Sequence, residues 1–135
     1  MTPPYRLWIP GPLPGENEII AAAKGFGGRG YGYAKIKKQW TAAAQSAAAG
    51  VPPLTRARFT FIWHEVAKRR NPDNIAAGVK FVYDGLVAAG VLPNDGWNEI
   101  ASWSNEFVVD KGSPGVEVVI DPIGQAALAG GADRR

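Results

Sequence analysis

Strict alternation of apolar and polar residues in the middle of the chain limits its fold more than any other feature. In the stretch RARFTFIWHEV, Phe59, Phe61 and Trp63 fall on every second position, which is typical of a β-strand with one buried face. Glu65 has the same parity as these aromatic residues. His64, the single histidine of the chain, lies on this strand, and we interpret it as structural rather than catalytic.

Six further segments carry a helix or strand pattern. They are strands at 5–9, 100–110 and 115–121 and helices at 17–24, 33–50 and 72–90. The sequence KGSPG between the last two strands predicts a hairpin. A glycine-rich stretch at 25–35 predicts a basic and aromatic loop that includes Arg29. The order of elements predicts an α/β (α+β) fold, with a small mixed sheet of about four strands and two main helices packed on it.

The length of the chain indicates one domain, because 135 residues suffice for a single hydrophobic core. We expect this domain to span 1–121 and residues 122–135 to form a flexible tail. No apolar run approaches the roughly 20 residues that cross a bilayer, so we expect no membrane partner. The first residues lack the layout of a signal peptide, which predicts a cytoplasmic protein.

The types of side chain present restrict the possible chemistry. The chain has no cysteine and one histidine, which excludes disulfides, thiol nucleophiles and cysteine-based zinc sites. Any metal must therefore bind oxygen ligands, which favours Mg²⁺ or Mn²⁺. Residues 1–70 contain eleven Lys and Arg against three Asp and Glu, whereas residues 71–135 contain four against nine. A basic half of this kind suits a polyanion such as nucleic acid, although two ordinary solvated faces would give the same counts.

The stretch RRNPDNI, residues 69–75, begins the strongest predicted helix. Asn71 is a favourable N-cap residue, Pro72 then falls on the first helical position, and Asp73 complements the helix dipole. Capping explains Asn71 and Pro72 but not the basic KRR sequence before them. At 100° per residue, Asp73, Lys80 and Asp84 share one side of the helix, and the last two form an i,i+4 pair.

Asp95 lies in a turn after this helix, in the sequence PNDGW. Asp-Gly is a common turn pair, so the residue has an ordinary structural explanation. Eleven residues separate it from Asp84. A neighbouring strand or a second subunit would be needed to bring Asp73 and Asp95 together.

The stretch RRNPDNIAAGVKFVYDGLVAAGVLPNDGW resembles the signature of the RusA-type Holliday-junction resolvases, especially their phage and prophage branch. The flanking sequences LPGENEIIAAAKG, YGYAKIKKQWT and GVEVVID are also similar, so that the resemblance covers about residues 5–121. It implies a homodimeric endonuclease that uses Mg²⁺, with Mn²⁺ as a possible substitute, to cut four-way DNA junctions in recombination and repair. The metal ligands of that family map to Asn71, Asp73 and Asp95, and its catalytic lysine maps to Lys80.

This sequence departs from the family pattern at Asn71, where a carboxylate is expected. Asparagine offers a neutral oxygen and removes one negative charge from the site. Three explanations are open. The site tolerates Asn71, or a neighbouring carboxylate, Glu65 or Asp84, supplies the missing negative charge. Alternatively, the chain is a catalytically impaired form that still binds DNA junctions. Seven basic residues are expected to contact the DNA backbone. They are Lys68, Arg69, Arg70, Arg29, Lys35, Lys37 and Lys38.

Overall fold

A four-stranded mixed sheet organises the chain, and its helices pack against one face of that sheet. The computed structural model describes residues 2–28 and 30–124. The strands are β1 (Tyr5–Pro10), β2 (Ala57–Glu65), β3 (Ile100–Val109) and β4 (Gly115–Pro122). The helices are α1 (Glu16–Gly28), α2 (Tyr31–Ala47), α3 (Pro72–Ala76) and α4 (Val79–Ala88). The predicted α+β fold class is confirmed.

The strands lie in the order β1-β4-β2-β3. β2 and β3 are parallel, whereas β4 is antiparallel to both β1 and β2. The predicted hairpin between the last two strands is therefore wrong, because β2 lies between them. β4 has a partner strand on each side and is buried along most of its length. β3 lies at an edge of the sheet and is largely exposed.

The core lies between the sheet and α2 and α4. Phe59, Phe61 and Trp63 are buried, as their alternation predicts. The Tyr83 ring of α4 packs edge-on against Phe59 and Phe61, with ring centroids 5.3 and 5.7 Å apart. Gly85 brings α4 close to α2, because a Cβ atom at that position would collide with Ala44. Aromatic contacts thus hold α4 against the sheet, and a close backbone approach at Gly85 holds α4 against α2.

The loop predicted at 25–35 needs correction. The glycine-rich stretch at 25–35 is not a long loop, because α1 continues to Gly28 and α2 begins at Tyr31. A Cβ atom at Gly32 would lie 2.9 Å from the Ala22 carbonyl oxygen, so this glycine allows the two helices to approach closely. Arg29 lies outside the described residues.

The predicted helix at 72–90 is in fact two helices, α3 and α4. Between them the backbone N–H groups of Gly78 and Phe81 donate to carbonyls three residues earlier, those of Ile75 and Gly78. Such bonds turn the chain by about 120° per residue instead of 100°. A single helical wheel therefore does not carry over from α3 to α4.

The predicted domain boundary is close to the end of β4, which continues to Pro122. Most of the predicted tail, residues 125–135, lies outside the described residues. None of the helices in the described ranges is long and apolar enough to cross a membrane.

Substituting Gly85 by alanine tests the approach of α4 to α2. Alanine favours a helix over glycine by about 1 kcal/mol, but the added methyl group must displace Ala44, and overpacking costs about 1–3 kcal/mol. We expect Gly85→Ala to lower the free energy of unfolding measured in urea. Gly25→Ala in α1 is the matched control, because no atom lies within 4 Å of a Cβ there, and it should leave stability unchanged or raised. Equal effects of the two changes would contradict this packing.

Candidate functional site

A pocket of about 330 Å³ opens where β2 and β3 end. Parallel strands end at the same edge of a sheet, and α3 begins a few residues after β2, so three elements meet there. The pocket is lined by Glu65, Ala67, Lys68, Arg70, Asn71, Pro72, Ile75, Phe107, Val108 and Val109. Much of the RRNPDNI stretch therefore faces one cavity, which we call the β2-end pocket.

Arg70 holds this region together. Its Nη2 and Nε atoms donate to the two carboxylate oxygens of Glu65, at 2.7 and 3.0 Å. Its Nη1 atom donates to the Leu13 carbonyl oxygen at 3.0 Å and to Glu18 Oε1 at 3.1 Å. Arg70 thus joins the end of β2 to the segment that leads into α1, a bidentate arrangement that favours arginine over lysine.

The charges of this cluster balance one another. Burial opposes the charge of Arg70, but hydrogen bonding and attraction to Glu65, with a further contribution from Glu18, raise the pKa of Arg70 above its ordinary value. Both oxygens of the buried Glu65 carboxylate are occupied by Arg70. Glu65 is therefore unsuited to replace a missing metal ligand, and Arg70 positions the site in this arrangement instead of offering its guanidinium to a phosphate.

Asn71 occupies the predicted N-cap position but does not use its side chain there. Its backbone has φ −72° and ψ 152°, and Pro72 follows at the first helical position. The Ile75 N–H donates to the Asn71 carbonyl oxygen at 3.0 Å. Within the described part of the chain, however, the Asn71 amide makes no capping hydrogen bond. The capping prediction is confirmed for the backbone and wrong for the side chain, which is exposed at the β2-end pocket.

Asn74 has a structural role that its place in the motif did not reveal. It is buried, and its Oδ1 atom accepts a hydrogen bond from the Asn17 N–H at 2.9 Å. This bond fixes the first turn of α1 against α3. Asn74 therefore stabilises the position of α3, whose residues Pro72 and Ile75 line the pocket, without lining the pocket itself.

Asp73 and Lys80 belong to different helices. Asp73 is exposed in the first turn of α3. Lys80 is exposed on α4, with its Nζ atom 3.9 Å from Asp84 Oδ2, so the predicted i,i+4 pair is confirmed. The Asp84 Oδ2 atom is buried and has no hydrogen-bond partner among the described residues. This oxygen depends on Lys80 for the compensation of its charge.

Asp95 lies in a different pocket, of about 430 Å³, at the start of β3. This β3-start pocket is lined by Arg56, Asp95, Gly96, Trp97, Ile100, Ala101, Ser102 and Trp103. Burial, together with the nearby negative charge of Asp95, raises the pKa of the Tyr83 phenol. The neighbouring Trp97 is 96% exposed, a feature that sequence analysis missed although a tryptophan in a polar turn was its signal.

The two pockets lie at opposite ends of the β2–β3 pair. Asn71 lines the pocket at the end of β2, whereas Asp95 lines the pocket at the start of β3. Throughout residues 2–28 and 30–124, no group of three or more His, Asp or Glu side chains is arranged to hold a metal ion. The predicted ligands Asn71 and Asp95 therefore face different pockets, and the ligand set stays a prediction.

Most of the predicted DNA-binding residues are exposed. Lys68 and Arg69 lie three and two residues before Asn71, and Lys35, Lys37 and Lys38 lie on α2. α2 approaches the Arg70 cluster, because Ile36, Trp40 and Arg70 line a common pocket. Exposed basic side chains thus occur in the segment between β2 and α3 and on α2.

No protein-family model and no curated protein matches this sequence.

Removing the Arg70 side chain tests its role as the structural link. Arg70→Met leaves Glu65 buried without its cation, which costs about 3 kcal/mol for an ion pair of this kind. The loss should appear as a lower free energy of unfolding in urea. Adding Glu65→Gln to Arg70→Met should recover part of it, because the buried charge is then removed. Arg69→Met, at the exposed neighbouring position, should change stability by less than about 0.5 kcal/mol, and a similar loss from both arginines would contradict this assignment.

Proposed function

We propose that this chain is a structure-specific DNA endonuclease of the RusA type, which acts as a homodimer on four-way junctions in recombination or repair. The resemblance over residues 5–121 supports this function, and the α+β fold is compatible with it. The observation that carries the proposal is the Asn71 side chain. It occupies a capping position, makes no capping bond among the described residues, and instead faces a pocket that Lys68 also lines. The exposed Asp73 follows two residues later in the chain.

The charge around this pocket suits a phosphate backbone. Lys68 and Arg69 are exposed shortly before Asn71 in the chain, and α2 carries three further exposed lysines. Contacts between such residues and phosphates position DNA without reading its sequence. A protein that relies on them recognises the shape of its substrate, which is the property that cutting a branched junction requires.

Hydrolysis of a phosphodiester by this route requires a divalent cation, and the resemblance implies Mg²⁺, with Mn²⁺ as a substitute. Such a cation supplies a hydroxide nucleophile and shields the phosphate charge. Asn71 and Asp95 line different pockets, so we derive no metal-bound step. The described residues provide the Asn71 amide at the β2-end pocket and the exposed Asp73 two residues later. Lys80, whose Nζ atom lies 3.9 Å from Asp84, is the residue that the resemblance assigns to stabilising developing negative charge.

A second function, binding of junctions without cleavage, is favoured by two observations. The first is the neutral amide at position 71, where the resemblance expects a carboxylate. The second is that Asn71 and Asp95 line different pockets within one chain. Both weaken cation binding, and neither affects the exposed lysines and arginines that would hold DNA.

Cleavage of a synthetic four-way junction separates these two functions. The unmodified chain should cut it with Mg²⁺ or Mn²⁺, and Asp73→Asn should abolish cutting while junction binding persists. Asn71→Asp should increase cleavage about tenfold or more, because a second anionic ligand strengthens cation binding. Binding with cleavage only after Asn71→Asp would establish the second function. Absence of junction binding in every variant would contradict both.

The salt dependence of junction binding tests the basic residues. Replacing Lys68 and Arg69 together by alanine should weaken binding and reduce the slope of log K against log[salt] by about 2, roughly one for each lost phosphate contact. Arg6→Gln is the control, because Arg6 lies on β1, the edge strand opposite β3, where it forms an ion pair with Glu117 of β4. An equal reduction by the control would show that net charge, and not this surface, determines binding.

A further inference from the structure

Trp97 projects from a turn that hydrogen bonds hold in place. The Gly96 N–H donates to Glu99 Oε1 at 3.0 Å, and the Gly96 carbonyl oxygen accepts from the N–H groups of Glu99 and Ile100 at 3.2 and 3.0 Å. The Ala57 N–H donates to the Glu99 carbonyl oxygen at 2.9 Å and ties the turn to β2. The indole is nevertheless 96% exposed, the highest fraction among the exposed large apolar side chains in the described ranges. A fixed backbone therefore presents an uncovered aromatic ring to solvent.

A second tryptophan lines the β3-start pocket together with Trp97. Trp103 is 46% exposed, and its ring packs edge-on against the buried Phe61, with ring centroids 5.9 Å apart. The register of β2 and β3 skips Ala101, which also lines the pocket, so the pairing is irregular at this point, as in a β-bulge. Bulges redirect side chains and are frequent beside functional sites. One aromatic wall of the pocket is thus held by the core, and the other projects from the turn.

The charged groups of the β3-start pocket restrict its ligand. Arg56 is exposed and forms no ion pair within the described ranges. Two indoles suit a cationic ligand, but the Arg56 guanidinium opposes a cation and is a donor for a phosphate oxygen. Asp95 also lines the pocket and opposes a small anion that fills it. A fitting ligand therefore has a flat neutral ring for the tryptophans and one negative group for Arg56, and a nucleotide has both.

In DNA, such a ring is accessible only where base pairing has opened. A paired base is covered on both faces by its neighbours, whereas an unpaired base offers a face on which an aromatic side chain stacks. Pairs open most readily at the branch point of a junction, because the stacking of the duplex is interrupted there. Exposed basic residues such as Lys68 and Arg69 contact the backbone and do not detect this opening.

We infer that the β3-start pocket binds an unpaired nucleobase of branched DNA, which stacks on Trp97 and Trp103 while Arg56 holds the adjoining phosphate. The inference rests on the proposed function and names the part of the junction that this pocket recognises. Every base has a ring face, so stacking detects the unpaired state and not a particular sequence. The pocket thus adds a contact with opened strands to the backbone contacts of the lysines and arginines.

Two synthetic four-way junctions, identical except for two unpaired thymines at the branch point of one, test the stacking. Binding is measured by fluorescence anisotropy in EDTA, so that no strand is cut. The unmodified chain should bind the thymine junction about tenfold more tightly, as expected for stacking on an aromatic side chain. Trp97→Leu should remove this preference, whereas Trp97→Phe, which keeps a ring, should retain most of it. Trp8→Leu is the matched control, at a tryptophan that is 40% exposed on the opposite edge strand, and should keep the preference.

The same titrations separate failure of this inference from failure of the proposed function. If Trp97→Leu retains the preference, or Trp97→Phe loses as much as Trp97→Leu, stacking on Trp97 is overturned. If the unmodified chain binds both junctions equally, the nucleobase site is overturned and the proposed function stands. If it binds neither junction, both are overturned.

The salt dependence of the same binding distinguishes the ring contact from the phosphate contact. Trp97→Leu should weaken binding of the thymine junction without changing the slope of log K against log[salt], because an indole releases no counterions. Arg56→Gln should reduce the slope by about 1, as expected for one lost phosphate contact. A reduced slope in Trp97→Leu, or an unchanged slope in Arg56→Gln, would overturn the corresponding role.

Photo-cross-linking locates the bound base. With 5-iodouracil in place of one unpaired thymine, irradiation should join the DNA to Trp97 or Trp103, identified by mass spectrometry of the linked peptide. Cross-links confined to other residues would overturn the site. Sedimentation equilibrium of Trp97→Leu excludes a different use of the indole. Loss of self-association with the thymine preference intact would assign Trp97 to a contact between copies of the chain and overturn the nucleobase site.

Discussion

Parallel pairing of β3 with β2 determines where the other parts of the molecule lie. Parallel strands cannot be joined by a tight turn, so the chain crosses from Glu65 to Ile100 through α3 and α4. The crossover places α3 at the end of β2 and the turn with Asp95 at the start of β3. It also leaves the other side of β2 to β4 and puts β3 at the edge. One pairing thus separates the polar residues of the candidate site and exposes the strand between them.

The start of this crossover is fixed by charge more than by apolar packing. Glu65 follows the buried face of β2 to its end, and a carboxylate in that position needs a cation. Arg70 supplies it and uses its remaining donor to hold the segment before α1. The three basic residues before Asn71 therefore have two different roles. Arg70 faces inward as a positioning residue, whereas Lys68 and Arg69 remain exposed to solvent or a ligand.

Local patterns predicted what depends on local geometry. Alternation located β2 and its buried residues, because side-chain parity needs no knowledge of distant partners. The Lys80–Asp84 pair was likewise predictable from a spacing of four. The proposed hairpin failed because nearness in sequence does not decide which strands pair. The glycine-rich loop failed because glycines also serve close helix packing, and composition alone does not distinguish the two uses.

In the candidate site, too, the sequence predicted features that depend on local geometry and missed those that depend on distant parts of the chain. The position of Asn71 at a helix start followed from sequence, but the orientation of its amide depends on the surrounding pocket. The Glu65–Arg70 pair was missed, although a glutamate on the buried parity of a strand, followed by three basic residues, was a signal for it. No spacing rule could have placed Asp95, because its distance from Asp73 depends on the path of the whole crossover.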